Sequence, residues 1–508
     1  MTSVTEPAAI QAVAETPAGR IRGSQEGSLQ VFRGIPYAEA PVGDLRFLPP
    51  RRITSYPETV DALEFAPSPQ QSPAFVVVAP GVDIFAGVGD KDEDCLALNV
   101  WTPGTTGSRP VMVWIYGGSF ARGSSTQVVY DGAKLAGEGD VVVVTLNYRL
   151  GALGFLDLDL PGWKTNLGLR DQLAALEWVR DNIAAFGGDP GRVTIFGESA
   201  GAISVSSLLG SPASKGLFQR AIMQSGAGRD VVSREAAQRF SASFMRHLGL
   251  EPADVEGARR ASVDEILAAQ MTTTLEAMAK EGISAGFQPV VDGDLLPTQP
   301  LQAVSAGAAR DVAVLAGTTR DELRLWRLLD PGLPTMDEAG LRARAAMFLG
   351  ERADEMVDSY LAWNAGEPVG DTWMALLTDR EFRAPSTRLV EAQAEHNPEV
   401  YSYVFDWPAP EPGLRACHAI DIPFVFGTLG AQGFDPLSPS TPETEAIGRT
   451  MRKAWTDFAH GRPPGGTGEP GWPRYDGTRR ATRFFGSQDR VEDDPMSDQR
   501  KLWQGAGN

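Results

Sequence analysis

The sequence predicts an α/β protein with a large, mostly parallel central sheet flanked by helices. Several short apolar runs are typical of buried strands, and the first two are rich in β-branched residues and continuous rather than alternating, as in parallel strands that helices cover on both faces. Strand–helix–strand alternation with lengths of this kind is typical of such sheets. The predicted strands cover residues 110–116, 140–147, 193–196, 220–224 and 312–316.

A strong amphipathic helix is predicted between the second and third of these strands, over residues 169–186. The stretch "GGDPGR" that follows ends it, because glycine and proline do not continue a helix. Apolar residues at helical spacing place one stripe against the sheet. The stripe consists of Leu169, Leu173, Leu176, Val179 and Ile183.

The domain organisation predicted for residues 1–508 is a single domain. Residues 1–20 are interpreted as a flexible polar lead-in, since they lack the basic start and apolar core of a secretory signal. The alternation of strands and helices is interrupted by two helical segments rich in Ala, Glu and Arg, residues 228–285 and 325–398. We interpret them as insertions that pack over the sheet and shape a substrate gorge.

Composition narrows the function classes. The net charge is −19, which disfavours nucleic acid and anionic membranes as partners. The sequence has no run of about twenty apolar residues that could span a membrane. The two cysteines, Cys95 and Cys417, are expected as free thiols of a cytoplasmic protein. The four histidines show no metal-ligand spacing, and we expect neither a metal nor a cofactor.

The pattern G-x-S-x-G occurs twice, as "GESAG" (197–201) and "GISAG" (282–286). Ser199 follows a predicted strand and precedes a helix-forming stretch, which is the setting of a nucleophile elbow. Ser284 follows a helix-like run and has no helix after it. Its glycines are more typical of a helix cap and a loop. We therefore predict Ser199 as the nucleophile.

A serine hydroxyl needs a base to accept its proton. His418 is the best candidate, because it lies in a loop that enters an apolar stretch and has the small neighbours Ala416 and Ala419. A packed loop histidine is the alternative interpretation. The other histidines lie at polar helix ends or within an insertion, and they are His247, His396 and His460.

The acid and the oxyanion donors are predicted at the ends of strands. Asp321 and Glu322 both follow the strand 312–316, and the residues alone leave the choice between them open. Gly117 and Gly118 follow another strand and let the backbone turn with its N–H groups free. Such groups can stabilise the oxyanion of acyl transfer.

These stretches together resemble the type-B carboxylesterase family, which includes the cholinesterases and bacterial p-nitrobenzyl esterase-like enzymes. The resemblance extends through most of the chain, whereas the helical insertions match least. It implies an α/β-hydrolase fold. The blocks that carry it include "VFRGIPYAEAPVGDLRF" (31–47), "DEDCLALNVWTP" (92–103), "PVMVWIYGGSF" (110–120), "NYRLGALGF" (147–155), "VTIFGESAG" (193–201), "AGTTRDE" (316–322) and "HAIDIPFVFG" (418–427).

Carried over by position, the resemblance makes Ser199 the nucleophile and His418 the base. It selects Glu322 rather than Asp321 as the acid. The oxyanion donors fall on the backbone N–H groups of Gly118, Ser119 and Ala200. Ser225 in "QSGA" resembles a serine that supports the triad, and Arg46 with Glu93 resembles a structural ion pair.

The chain departs from the family pattern at several positions. Ser119 stands where Gly or Ala is usual, and it could narrow or polarise the pocket. Leu323 replaces a usual Gly, which we expect to loosen the acid. No cysteine lies upstream to pair with Cys95 as in eukaryotic relatives. Residues 70–92 contain no tryptophan to stack on a quaternary ammonium, which disfavours a choline ester specialist.

The function expected from the resemblance is that of a serine carboxylesterase. It would hydrolyse small to medium esters through an acyl-enzyme, as a monomer or weak homo-oligomer. One alternative is the same triad acting on carbamate, amide or xenobiotic diester bonds. Another is a non-catalytic adhesion-type member of the fold, which the presence of all three triad residues disfavours.

Overall fold

The computed structural model describes residues 11–72, 81–281, 286–466 and 471–504. Its strands, numbered along the chain, are short and mostly buried. They are β1 (Gln11–Thr16), β2 (Gly19–Glu26), β3 (Leu29–Pro36), β4 (Val60–Asp61), β5 (Ser68–Pro69), β6 (Lys91–Asp92), β7 (Ala97–Thr102), β8 (Arg109–Ile115), β9 (Val142–Leu146), β10 (Gly188–Glu198), β11 (Arg220–Gln224), β12 (Ala313–Thr319), β13 (Val400–Phe405), β14 (Ala481–Phe485) and β15 (Arg490–Asp493).

One large sheet holds most of these strands, in the order β1-β2-β3-β7-β9-β8-β10-β11-β12-β13-β14-β15. The strands from β9 to β14 in that order run parallel, and those toward both edges pair antiparallel. The parallel strands β8 and β9 are buried almost throughout, as their continuous apolar sequences predict. The carboxyl ends of β10, β11 and β12 lie side by side, which is where an open α/β sheet forms its site.

The helices flank the sheet. Among the described residues, none is both long and apolar enough to cross a membrane. The α-helices are α1 (Ala133–Gly139), α2 (Gly151–Phe155), α3 (Leu167–Asn182), α4 (Ala200–Gly210), α5 (Arg234–His247), α6 (Val255–Arg260), α7 (Val263–Glu281), α8 (Pro300–Ser305), α9 (Glu338–Leu349), α10 (Ala353–Trp363), α11 (Val369–Thr378), α12 (Ala384–Ala394), α13 (Ile422–Phe426), α14 (Pro442–Ala459) and α15 (Ser497–Gln504).

The predicted core elements are confirmed with small shifts at their ends. The five predicted strands correspond to β8, β9, β10, β11 and β12. The predicted helix 169–186 is α3 followed by a 3₁₀ turn over Ile183–Phe186. α4 follows β10 directly at Ser199.

The prediction of a flexible lead-in over residues 1–20 is wrong for residues 11–20. These residues form β1 and the beginning of β2, which pair antiparallel at the edge of the sheet. Ala12 and Ala14 are buried while their neighbours face outward, so the strand has the expected period of two. The small alanines made this alternation weak in the sequence. Residues 1–10 lie outside the described residues.

Both predicted insertions are helical where the structure describes them. The first contains α5, α6 and α7, and the second contains α9 to α12. The second also has its own hydrophobic cluster, separate from the main core. That cluster includes Leu323, Leu341, Met356, Trp373 and Trp503.

Candidate active site

Ser199 lies at the tight turn between β10 and α4. Its backbone has φ 57° and ψ −123°, a strained conformation for a residue with a side chain. The Ser199 N–H donates to the Gln224 carbonyl oxygen at 2.9 Å, which ties the turn to the end of β11. The Ser199 hydroxyl is partly exposed and has no hydrogen-bond partner among the described residues.

The glycines around Ser199 are required by close backbone packing. A Cβ on Gly197 would lie 2.6 Å from the Gly201 carbonyl carbon, and a Cβ on Gly201 would overlap the Ile115 carbonyl oxygen. A Cβ on Gly226, in the "QSGA" segment, would lie 2.5 Å from the Ser199 carbonyl oxygen. The G-x-S-x-G spacing is therefore a packing requirement of this turn.

Three backbone N–H groups near Ser199 are available to a ligand. Those of Gly118, Ser119 and Ala200 donate no hydrogen bond to any described residue. Gly118 has φ 111° and Ser119 has φ 56°, so the loop after β8 bends through left-handed conformations. A Cβ on the preceding Gly117 would lie 2.9 Å from Ser199 Cβ, which places this loop directly against the serine.

His418 contacts Glu322 in the buried interior. Nδ1 of His418 lies 2.6 Å from Oε2 of Glu322, and the other carboxylate oxygen accepts the Thr319 N–H at 2.8 Å. The backbones also pair, since His418 N–H donates to the Glu322 carbonyl oxygen at 3.2 Å. Asp321 instead faces Arg324, at 3.8 Å, and burial raises the Asp321 pKa. Of the two candidate acids, the structure brings Glu322 to the histidine.

The other ring nitrogen of His418, Nε2, has no hydrogen-bond partner among the described residues. Oε1 of Glu198 lies 3.0 Å away without hydrogen-bond alignment. Burial raises the pKa of Glu198 to about 8, and His418 opposes that rise. Burial disfavours protonation of His418, but the carboxylates of Glu198 and Glu322 outweigh it and raise the His418 pKa.

Asp421, three residues after His418, extends this buried acidic group. Its Oδ2 accepts from Gln224 Nε2 at 2.9 Å and from the Tyr403 hydroxyl at 3.0 Å. Burial raises the pKa of Asp421 to about 6. Neither Glu198 nor Asp421 was predicted from the sequence. Glu198 lies within "GESAG", next to Ser199, and that position is the only feature of the sequence that could have pointed to either residue.

Two aromatic rings from the second insertion enclose the His418 imidazole. The ring centres of Trp326 and Phe382 lie 4.9 and 4.8 Å from that of His418. The two aromatic rings are nearly parallel to each other, with an interplanar angle of 12°. Neither ring could be predicted as a neighbour of His418, because nothing local in the sequence links Trp326 or Phe382 to residue 418.

The remaining candidate residues make contacts that hold the fold together, outside the triad. Arg46 and Glu93 form the predicted ion pair. The buried Ser225 follows the β11 residue that binds the Ser199 N–H, and its own N–H donates to the Gly317 carbonyl oxygen at 2.8 Å. The other three histidines contact Glu276, the Ser305 carbonyl and the Gly139 carbonyl; they are His247, His396 and His460.

Leu323, which we expect to loosen the acid, is packed in the fold. Its side chain is buried in the separate cluster of the insertion, and its N–H donates to Thr378 Oγ1 at 3.2 Å. Cys95 and Cys417 are free and buried. Ser284 lies outside the described residues. Within the described part of the chain, no group of three or more His, Cys, Asp or Glu is arranged to hold a metal ion.

Comparison with known proteins identifies the family. The carboxylesterase family model matches residues 10–503. The chain belongs to the carboxylesterase family. It is 38% identical over 494 residues to the para-nitrobenzyl esterase of Bacillus subtilis, covering 96% of this chain and 98% of that one. It is 34% identical to the phenmedipham hydrolase of Pseudarthrobacter oxydans, covering 91% and 92%.

Solved structures of carboxylesterases share the fold. A Geobacillus stearothermophilus carboxylesterase superposes with a TM-score of 0.85 at 39% identity, covering 97% of this chain and all of that one. A thermophilic pNB esterase gives a TM-score of 0.85 at 35% identity, covering 96% and 99%. The protein is thus a carboxylesterase with the α/β-hydrolase fold, and its reaction is the hydrolysis of carboxylic esters.

Proposed function

We propose that Ser199, His418 and Glu322 form the catalytic triad of this carboxylesterase. His418 Nε2 accepts the proton from Ser199 Oγ as the oxygen attacks the ester carbonyl. Glu322 fixes the ring through Nδ1 and stabilises the imidazolium that forms. The contact that carries this proposal is the buried one at 2.6 Å between His418 Nδ1 and Glu322 Oε2.

The oxyanion is stabilised by the N–H groups of Gly118, Ser119 and Ala200, which are otherwise unused. Collapse of the tetrahedral intermediate leaves the acyl group on Ser199 Oγ and transfers the proton from His418 to the departing alcohol. Water then attacks the acyl-enzyme with His418 as the base, and the carboxylic acid leaves. Ser225 supports the turn from the end of β11.

A small to medium ester with a neutral alcohol group is the proposed substrate. Phe85 packs against the oxyanion loop, since a Cβ on Gly118 would lie 3.1 Å from its Cε1. The Arg122 guanidinium carbon already lies 5.8 Å from the centre of that ring. That face of the ring is therefore occupied by a guanidinium rather than open to a quaternary ammonium, which disfavours choline esters.

The test is hydrolysis of p-nitrophenyl butyrate by the wild type and by Ser199→Ala. Loss of a triad serine reduces kcat by about 10⁶ when the three residues act as a unit. Ser284→Ala is the matched control and keeps wild-type activity. Labelling by a sulfonyl fluoride that Ser199→Ala abolishes identifies the nucleophile. Activity retained by Ser199→Ala and lost by Ser284→Ala would contradict the assignment.

A second candidate activity is cleavage of carbamate, amide or xenobiotic diester bonds by the same residues. The relative named phenmedipham hydrolase favours testing it, because its identity to this chain is close to that of the para-nitrobenzyl esterase. A panel of short and long acyl esters, an anilide and a carbamate measures the ratios of kcat/KM. Rates on the carbamate within tenfold of the best ester support this candidate.

We also propose a cytoplasmic enzyme that is a monomer or a weak homo-oligomer. The two free, buried thiols support a reducing compartment. Light scattering across a range of protein concentrations measures the oligomeric state. A stable assembly at submicromolar concentration contradicts the proposal, as does activity recovered outside the cytoplasmic fraction.

A further inference from the structure

Phe382 contacts His418 from a turn of unusual conformation. The turn is π-helical, covers Asp379–Arg383 and joins α11 to α12. Such turns are rare and occur often at functional sites. The ring centre of Phe382 lies 4.8 Å from that of His418, and Phe382 is 3% exposed. The turn therefore presents a buried ring to the proposed base.

The His418 imidazole is held by a hydrogen bond at only one of its nitrogens, among the described residues. Nδ1 contacts Oε2 of Glu322 at 2.6 Å, whereas Nε2 has no hydrogen-bond partner. One such contact leaves the ring able to rotate, so the direction of Nε2 depends on the aromatic rings packed against it. A displacement of about 1 Å in a reacting group can lower a rate about 10²-fold. Whatever fixes Phe382 therefore affects how well His418 can accept a proton.

Arg229 lies over the Phe382 ring and pairs with the residue before it. The guanidinium carbon of Arg229 is 5.1 Å from the centre of the Phe382 ring, within the range of a cation–π contact. Its Nη2 donates to Oε2 of Glu381 at 2.6 Å, and the two side chains are only 21% and 13% exposed. Ion pairs that are largely removed from water can select one arrangement of their partners. This pair is placed to select the position of Phe382.

The loop that carries Arg229 is itself packed against the turn of Ser199. The loop follows β11. A Cβ on Gly226 would lie 2.5 Å from the Ser199 carbonyl oxygen, and the Gly228 N–H donates to Ser206 Oγ of α4 at 3.2 Å. Arg229 therefore links the element that carries the proposed nucleophile to the turn that contacts the proposed base.

We propose that Arg229 and Glu381 are positioning residues of ester hydrolysis, and that their ion pair holds Phe382 against His418 so that Nε2 stays directed toward Ser199. The inference rests on the proposed triad. Both residues act through the Phe382 ring rather than on the reacting atoms. An interaction that is needed only when the proton moves affects kcat and leaves substrate binding unchanged.

Arg229→Met tests the pair, with Arg380→Met as its matched control. Methionine removes the cation and keeps an apolar stem against Phe382. Arg380 donates to the other oxygen of Glu381, also at 2.6 Å, but its guanidinium lies over the ring of Phe348. With p-nitrophenyl butyrate, Arg229→Met should have a kcat about 10- to 100-fold lower and a KM within about threefold of wild type. Arg380→Met should keep the wild-type values of both.

Two further variants show whether the effect passes through the ring. Glu381→Leu and Phe382→Leu should each lower kcat by a factor similar to that of Arg229→Met. Adding Arg229→Met to Phe382→Leu should lower kcat by less than about threefold more, because the cation then has no ring to hold. Circular dichroism and thermal melting show that each variant is folded.

The proposal is overturned if folded Arg229→Met has the wild-type kcat, if it raises KM instead, or if Arg380→Met loses as much activity. It is also overturned if the losses of Arg229→Met and Phe382→Leu multiply in the double variant. Ser199→Ala separates these results from a failure of the triad. Activity retained by Ser199→Ala contradicts the triad, whereas an inactive Ser199→Ala beside a fully active Arg229→Met contradicts only the role of the ion pair.

Discussion

Glu322→Gln tests which acid orients the base, with Asp321→Asn as its matched control. Both substitutions remove one negative charge and keep the side-chain shape. Only Glu322 contacts His418, at 2.6 Å from Nδ1 to Oε2, whereas Asp321 faces Arg324. We therefore expect a large loss of kcat for Glu322→Gln and a change of at most a few-fold for Asp321→Asn.

The size of the loss follows from the contact. A carboxylate whose charge lies about 4 Å from that of the imidazolium stabilises it by about 4 kcal/mol at an effective dielectric constant near 20. That free energy corresponds to a factor of about 10³ in rate. Glutamine can also donate to Nδ1 and hold the wrong tautomer, which raises the expected loss to about 10⁴.

The assay is kcat/KM for p-nitrophenyl butyrate, with circular dichroism and thermal melting to show that each variant is folded. Ser199→Ala sets the background rate. Activity of folded Glu322→Gln within tenfold of wild type refutes the reasoning. So does a larger loss in Asp321→Asn than in Glu322→Gln, because Asp321 makes no contact with the histidine.

Three further predictions concern the surroundings of the triad. The Glu198 pKa is raised to about 8 by burial, so the folded protein binds one more proton than the unfolded chain between about pH 4.5 and 8. The free energy of unfolding should therefore fall as the pH rises through this window. The melting temperature of Glu198→Gln should fall less steeply with pH than that of the wild type. An equal slope of melting temperature against pH in the two proteins contradicts the raised Glu198 pKa. Trp326→Ala should lower kcat by about 10- to 100-fold by freeing the His418 ring and should shift the pH–rate profile, whereas Trp326→Phe keeps the ring contact and should stay near wild type. Gly201→Ala should destabilise the fold by about 3 kcal/mol or more, because the added methyl overlaps the Ile115 carbonyl oxygen. Gly477→Ala meets no atom within 4 Å and should melt as the wild type does.

The sequence predicts the centre of the fold better than its edge. β8 and β9 are covered on both faces, so burial requires apolar residues at every position and leaves a continuous signal. β1 at the edge is half-buried, and its alanines alternate with Gln11, Val13 and Glu15, which does not distinguish it from a polar lead-in. Backbone pairing with β2, which the side chains do not encode, decides its structure.

The residues of the candidate site likewise differ in how well the sequence predicts them. Ser199 was predicted from local features, because strand, turn and helix are adjacent in the chain and the glycines on both sides are required by contacts with Ile115 and Gly201. "GISAG" shares four of the five letters but has no such setting in the sequence. The local residues left Asp321 and Glu322 open, since both follow β12. The resemblance selects Glu322, and in the structure the Glu322 carboxylate is the one that reaches His418, where the turn after β12 pairs with the loop at 416–418.

The groups that set the position and the pKa of the His418 ring could not be predicted from one sequence. Asp421 meets Gln224 from nearly two hundred residues away, and Trp326 and Phe382 reach the ring from the second helical insertion. These contacts act against one another: the carboxylates raise the pKa of His418, whereas burial lowers it. A base must be unprotonated to accept the serine proton and yet be stabilised once it has done so. Burial of the ring serves the first requirement by opposing protonation of His418, and the carboxylates of Glu198 and Glu322 serve the second by stabilising the imidazolium.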